Sequence, residues 1–287
     1  MRVPRRWRLD LSWPYLVGLT VLIAIPLVAA IWLAFTDYTG LSTPRSVGLA
    51  NFRRLVSDER FWQAVGNSAV YVSIAVPLRL VAAVTFALLL HRRGNFSDAG
   101  RATAYLPTII PDISYALLWA WLLNPLYGPL AVLTRETRLP SPGWLTDPWA
   151  ARVAIAVMGA FQIGEAFIIA LAWRRTIPDR LYEAAALEGA TPVFVLRKLT
   201  LPLMAPVLAL LALRDVILAF QLRFVPALIV TGGGPRRATT YLPGYLYDNA
   251  FRYFRLGYAS AIAVTMLVVT GFVVVIQYRL ARHWQLL

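Results

Sequence analysis

The sequence predicts an all-α, polytopic membrane protein, and three observations carry that prediction. Hydrophobic residues make up 59% of the 287 and charged residues only 15%, with a mean hydropathy of +0.62; a water-soluble domain rarely has this balance. The apolar residues fall in six runs, at about 14–35, 66–90, 102–123, 153–173, 201–222 and 258–280, and roughly 20 such residues let a helix cross the hydrocarbon. The arginines gather at the ends of those runs, where charges set topology. Residues 1–287 are therefore expected to form one transmembrane domain.

Met1–Trp13 is basic at Arg2, Arg5, Arg6 and Arg8 and precedes the run Pro14–Phe35. That run is longer than a signal-peptide core and no small-x-small cleavage site follows it, so it is expected to be an uncleaved first span with its N-terminus inside. Asp37–Ala64 is mixed and polar, with V-G-L-A-N-F-R-R-L (Val47–Leu55) and Phe61-Trp62; the aromatic pair suits an interfacial amphipathic helix or packing against the protein body. Gly66–Leu90 is the second span and contains Pro77 and Arg79. His91–Arg101 is a short basic loop. Ala102–Leu123 is the third span, with Pro107, Pro111 and Asp112 in its first half. Asn124–Arg152, rich in Pro, Gly and Trp, leads to the fourth span, Val153–Trp173. Leu201–Leu222 is the fifth. Arg223–Gly257 holds T-G-G-G-P (Thr231–Pro235), most simply a flexible turn, and Tyr258–Leu280 is the sixth span before the tail Ala281–Leu287. Six spans put both termini on one side, which with the N-terminus inside is expected to be the cytoplasm. Lys and Arg then number 14 on the inner segments against 11 on the longer outer ones, the sense of the positive-inside rule.

Composition excludes several functions. A net charge of +14 invites a nucleic-acid reading, but the arginines form no patch or helix stripe, so no nucleic-acid partner is expected. Without cysteine there is no disulfide, iron–sulfur or thiolate site. His91 and His283 sit beside arginines with no further ligands around them, so no metal is expected. The one lysine, Lys198, is followed by Leu199, whereas a phosphate loop needs Gly-Lys-Ser/Thr. The chain thus has no Walker motif and no cofactor of its own, and any ATP and Mg chemistry belongs to other subunits. It is not expected to be an enzyme.

The most informative stretch is the polar island 174–200 between the fourth and fifth runs. Thr176 is placed to cap a short helix, with Pro178 in the opening turn and Asp179 three residues after the cap. Tyr182–Glu188 are mostly good helix formers, and Gly189 is the natural left-handed stop. Thr191-Pro192 repeats the cap-plus-proline start for a second helix, Val193–Leu199. Ala185 and Gly189 lie four apart, as do Ala186 and Ala190, so one face carries almost no side chain and another protein can come close.

Glu183-Ala184-Ala185, Gly189 four residues beyond the last alanine, and Leu201-Pro202 resemble the "EAA" loop of permease subunits in binding-protein-dependent ABC importers. The carbohydrate-uptake subfamily, of maltose and glycerol-phosphate type, is the most similar. Leu106–Gly128, the T-G-G-G-P segment and L-G-Y-A-S-A (Leu256–Ala261) resemble the same family in the same order, as does the G-L-x-N-aromatic stretch within Val47–Leu55. The resemblance implies a type I importer fold in a bacterial or archaeal cytoplasmic membrane, with 174–200 as the cytoplasmic coupling loop that fits a cleft in an ATPase. The implied partners are a second homologous permease, two ATP-binding subunits, an extracytoplasmic solute-binding protein and a sugar or polyol. Lipid surrounds the whole.

Ionisable groups inside spans are costly and face protein or water. Here they are Arg79, Asp112, Glu165, Arg214 and Asp215. Counted from Glu183, the resemblance places solute contacts at Phe161, Gln162 and Glu165 before the loop and at Asp215, Ala219 and Leu222 after it. Carboxylates and amides suit vicinal hydroxyls. The other reading is that Glu165 and Asp215 form interhelical ion pairs with Arg79 or Arg214. Phe224-Val225-Pro226 departs from the family's aromatic-acid pair at this place, which leaves the sugar open. Two other functions stand as alternatives: an ion-coupled secondary transporter, and a membrane-embedded enzyme with Glu165 and Asp215 as acid and base.

Overall fold

The computed structural model describes residues 13–91, 94–138, 140, 143–221 and 224–283. Its helices, in chain order, are α1 (Trp13–Leu33), α2 (Ala50–Val56), α3 (Glu59–Leu89), α4 (Asn95–Ile109), α5 (Asp112–Leu122), α6 (Pro129–Glu136), α7 (Pro148–Phe161), α8 (Gly164–Thr176) and α9 (Asp179–Leu187). They are followed by α10 (Pro192–Phe220), α11 (Val225–Thr231), α12 (Leu242–Tyr247) and α13 (Leu256–His283). The strands among the described residues are the pair Thr36–Asp37 and Arg45–Ser46. Among the described residues four helices, α1, α3, α10 and α13, are long and apolar enough to cross a membrane, and α7 with α8 makes a fifth if that bent pair is one span.

Two of the expected spans are broken. The run 102–123 is divided between α4 and α5 at Ile110, which is extended (φ −67°, ψ 128°). Pro111 is the cause, because its ring clashes with a helical conformation at the preceding residue. The run 153–173 is divided at Gln162 and Ile163, and the pair α7–α8 bends there by 48°. The second span begins at Glu59 rather than Gly66, so Trp62 and Phe61 belong to a spanning helix and not to a separate interfacial one. Phe61 is buried and Trp62 is exposed.

By packing, the chain falls into two compact units, residues 1–61 with 245–269 and residues 62–244 with 270–287. In the first, none of the apolar window of α1 is buried. The Asn51 amide donates to Ala34 O (3.0 Å) and Thr36 O (2.8 Å), which closes the turn after α1. Phe35 and Phe52 stack nearby, with ring centroids 5.3 Å apart. Asp58 accepts from the hydroxyls of Tyr245 (2.5 Å) and Tyr258 (2.6 Å). Burial raises the Asp58 carboxyl, but those two hydroxyls and the Arg60 and Phe61 amides outweigh it and hold the group below its ordinary value. Burial, and then the bond to Asp58, push the Tyr245 phenol up.

The second unit has two packed layers. One core gathers Tyr71, Tyr115, Trp119, Ile155, Met158, Val216, Ala219 and Tyr241. The other gathers Ala83, Ala87, Phe167, Leu171, Ile177, Met204 and Leu211. The small residues Ala83, Ala87 and Ala170 are fully buried, which lets helices approach closely where lipid gives no hydrophobic drive between them.

Candidate functional site

A helix break leaves backbone groups unpaired, and in hydrocarbon each of them needs a partner. At the end of α7 the Met158 carbonyl accepts from the Tyr115 hydroxyl at 2.7 Å. The Gly159 carbonyl accepts twice from Arg79, from Nε at 3.2 Å and Nη2 at 2.5 Å. At the start of α8 the Gly164 amide donates to Thr108 Oγ1 at 2.9 Å. Only glycine fits at 164, because a Cβ there would collide with the Thr108 hydroxyl and lie 2.7 Å from the Tyr105 ring. The two breaks are thus tied to each other, with the last turn of α4 seated on the first turn of α8.

A cavity of about 300 Å³ opens at these breaks, lined by Arg79, Thr108, Asp112, Gln162, Glu165, Ala166, Arg214, Asp215 and Leu218. That volume is at the lower end of the range for small-ligand sites. Arg79 Nη1 meets Asp215 Oδ2 at 3.3 Å with side-chain exposures of 5% and 1%. The other Asp215 oxygen meets Arg214 Nη1 at 3.5 Å. Arg214 Nη2 also pairs with Glu165 Oε2, and here the side chains are 39% and 51% exposed. Asp215 therefore shares its two oxygens between two guanidiniums. One pair is sealed and joins α3, α7 and α10; the other faces the cavity and joins α8 to α10.

Of the residues singled out in the sequence, Gln162, Glu165 and Asp215 meet in this cavity. Phe161 does not line it; its ring packs edge-on against Trp119 at 5.4 Å. Ala219 is buried in the first core instead, and Leu222 lies outside the described residues. Both ion pairs weighed from sequence form, and they form at the cavity wall, so the two readings of Glu165 and Asp215 are not exclusive. Thr108 and Leu218 carried no signal in the sequence. Among the described residues no cluster of His, Asp and Glu is placed to hold a metal.

The polar island is built differently. Thr176 does not cap a new helix; it ends α8, and its hydroxyl donates back to Trp173 O at 2.7 Å. Pro178 takes the cap position of α9 and no side chain caps it. Gly189 has φ +73°, the Gly189 amide donates to Ala186 O at 3.0 Å, and the Ala190 amide donates to Ala185 O at 2.9 Å. This is the Schellman arrangement, which satisfies the last carbonyls of a helix. Thr191 accepts from the Phe194 amide at 3.3 Å, as its position predicts. The helix it starts does not stop at Leu199, however. It passes through a wider turn at Val195–Thr200 straight into Leu201-Pro202, so the second short helix is the first part of α10.

Two contacts fasten α9 to the body. The Arg174 guanidinium lies 4.1 Å from the centre of the Tyr182 ring, and the Tyr182 hydroxyl is 3.3 Å from Thr200 Oγ1. Ile177 is buried beside them. Glu183, Ala184, Ala186 and Gly189 are exposed and Ala185 is partly so, and Leu187 is 91% exposed. One side of α9 is moored and the other is bare.

A polar cavity at paired helix breaks, with an exposed short helix on the connection between its two lining helices, defines a membrane transport subunit. The chain belongs to the family described as binding-protein-dependent transport system inner membrane component, whose model matches residues 57–285. It is 32% identical over 279 residues to the probable ABC transporter permease protein YesP of Bacillus subtilis, covering 94% of this chain and 89% of that protein. It is 30% identical to the trehalose/maltose transport system permease protein MalF of Thermococcus litoralis, covering 91% and 89%. In fold it is similar to a bacterial alginate ABC transporter solved in complex with an alginate pentasaccharide-bound periplasmic protein. That match has a TM-score of 0.81 and 20% identity, and it covers 98% of each chain.

Proposed function

We propose that this chain is one half of the translocation pathway of an ATP-driven importer for a sugar or related polyol. The observation that carries the reading is the cavity at the two helix breaks. Interrupted spans place polar side chains and free helix ends at membrane depth only where they line a pathway or are buried in protein. Three carboxylates against two guanidiniums, with an amide and a hydroxyl, offer both donors and acceptors. That set suits a neutral polyhydroxylated solute, whereas an acidic one would meet an excess of carboxylate.

The coupling follows from covalent order. The loop with α9 sits between α8, which carries Glu165, and α10, which carries Asp215. A push on α9 therefore reaches both cavity walls at once, and the Glu165–Arg214 pair links those walls. Glu183, Ala184, Ala185 and Gly189 form the surface offered to the ATPase, with Leu201-Pro202 at the start of the spanning part of α10. ATP and Mg belong to two such ATPase subunits, which face the cytoplasm with both termini of this chain. A second homologous permease supplies the other half of the pathway, and a solute-binding protein delivers from outside. The solute shifts the equilibrium between inward- and outward-open states, and ATPase closure supplies the differential binding that this needs.

The test is Glu183→Lys in the reconstituted complex. Assembly and basal ATP hydrolysis are expected to stay at wild-type levels while stimulation by solute-loaded binding protein disappears. Normal stimulation in that variant overturns the assignment of α9. A panel of solutes in the wild-type complex is expected to show stimulation by neutral sugars and not by uronic acids.

A further inference from the structure

A single passage of α10 separates the segment Thr231–Thr240 from α9, and on the transport reading above it faces the side opposite the ATPases. It is held in one shape. Asn67 donates to Arg237 O at 2.7 Å and to Thr240 O at 3.0 Å. Gln63 donates to Arg236 O at 3.1 Å and Arg152 to Ala238 O at 3.2 Å. Thr239 Oγ1 donates to Gly234 O at 2.8 Å. Ala238 and Thr239 are buried at the base, while Arg236 and Arg237 are exposed at the crest. Both crest residues adopt left-handed backbone, φ 48° and 61°. Glycine takes that conformation freely and arginine does not, and strain retained at a site is a pointer to function.

A third exposed arginine, Arg138, has φ 53° and follows α6. Asp147 is occupied in capping α7, where it accepts from the Trp149 and Ala150 amides. Neither Arg236 nor Arg237 is ion-paired with a described residue.

We infer that the Arg236–Arg237 crest is a docking point for an acidic patch on the solute-binding protein; this rests on the transport reading above. A fixed backbone presents two neighbouring exposed arginines, and the planar guanidinium fork matches carboxylates on a shaped partner. Diffuse attraction to an anionic bilayer needs no such fixing.

The experiment uses the complete transporter in phosphatidylcholine nanodiscs, with its own solute-binding protein as probe, at low and high salt. The variant Arg236→Glu/Arg237→Glu is expected to slow association by about tenfold or more and to remove most of its salt dependence, because peripheral charges act on encounter. Basal ATP hydrolysis is expected to be unchanged. Arg236→Gly/Arg237→Gly relieves the backbone while deleting the charge and is expected to show a similar loss, whereas the double lysine variant retains most of the rate. Wild-type association rates in both charge-deleting variants overturn the inference. So does a charge effect that appears only when phosphatidylglycerol is added, which assigns the crest to lipid headgroups. If the wild-type complex does not bind the protein at all, the transport reading fails and the docking point with it.

Discussion

The cavity and the α9 loop hold their polar residues by opposite means. In the cavity the four charged groups of the two ion pairs are answered from another helix: Arg79 on α3 serves Gly159 on α7 and Asp215 on α10, and Arg214 on α10 serves Glu165 on α8. In the loop the stabilising bonds are short in sequence, from Gly189 to Ala186 and from Ala190 to Ala185, and the outward face has no ion pair among the described residues. Two glycines, Gly164 and Gly189, differ in the same way. Gly164 is needed for space against α4, whereas Gly189 has nothing within 4 Å of a Cβ and is needed for its φ of +73°. A self-satisfied site is closed to everything except what can compete with it, whereas an exposed one leaves its surface open to contact.

The largest effect that sharpens this contrast is at the sealed pair. Asp215→Asn leaves Arg79 short of a counter-charge in a buried setting, and removing one partner of a buried pair costs about 3–5 kcal/mol. The yield and thermal stability of the assembled complex are expected to fall accordingly. An apolar replacement of both, Arg79→Met with Asp215→Leu, is expected to recover only part of the loss, because it removes the uncompensated charge but leaves the Gly159 carbonyl without its donor. Glu183→Lys in the loop is expected to leave the same measurement unchanged. Equal loss from both variants breaks the distinction between closed and open sites.

A smaller effect is expected at the half-exposed pair. Glu165→Gln keeps a hydrogen-bonding group but loses its charge, and a bond to a charged group is worth roughly 1.5–3 kcal/mol, or about one to two decades in affinity. The half-saturating solute concentration for transport is expected to rise by that factor, with assembly close to wild type because Arg214 keeps Asp215. A collapse in yield instead of a shift in half-saturation places Glu165 with the structural pair.

The loop was largely legible in the sequence because its determinants are local: a helix-forming run, a glycine stop and a Thr-Pro start within a few residues of one another. Thr176 misled for the same reason, since a threonine before a proline fits either the end of one helix or the start of the next, and only the bond to Trp173 decides. The cavity was legible as a set of costly ionisable residues and not as an arrangement. Asp215 lies 136 residues from Arg79, a separation that no local pattern registers. Pro111 stands at the first break, although the run 102–123 reads as a single span in the sequence. The second has no proline, and its signal was the polar interruption Gln162-Ile163-Gly164-Glu165 in an apolar run. Phe161 and Ala219 were placed by register alone; the bend at Gln162 turns Phe161 toward Trp119, and Ala219 lies in the core between helices.

The smallest expected effect separates conformation from space at Gly189. No neighbour stands within 4 Å of the added carbon, so a side chain there costs only its backbone strain, about 1 kcal/mol or a little more. Asparagine tolerates left-handed backbone better than alanine, and β-branched valine tolerates it worst. Stimulated ATP hydrolysis is therefore expected to fall in the order glycine, asparagine, alanine, valine, with the folding stability of the whole chain almost flat across the series. Hydrogen exchange localises the change: the amides of Gly189 and Ala190, which close the α9 terminus, are expected to lose protection in the same order. If asparagine is as damaging as valine, the ATPase needs the bare surface at 189 rather than the turn, and the steric fit of the partner, not the helix stop, is what this glycine provides.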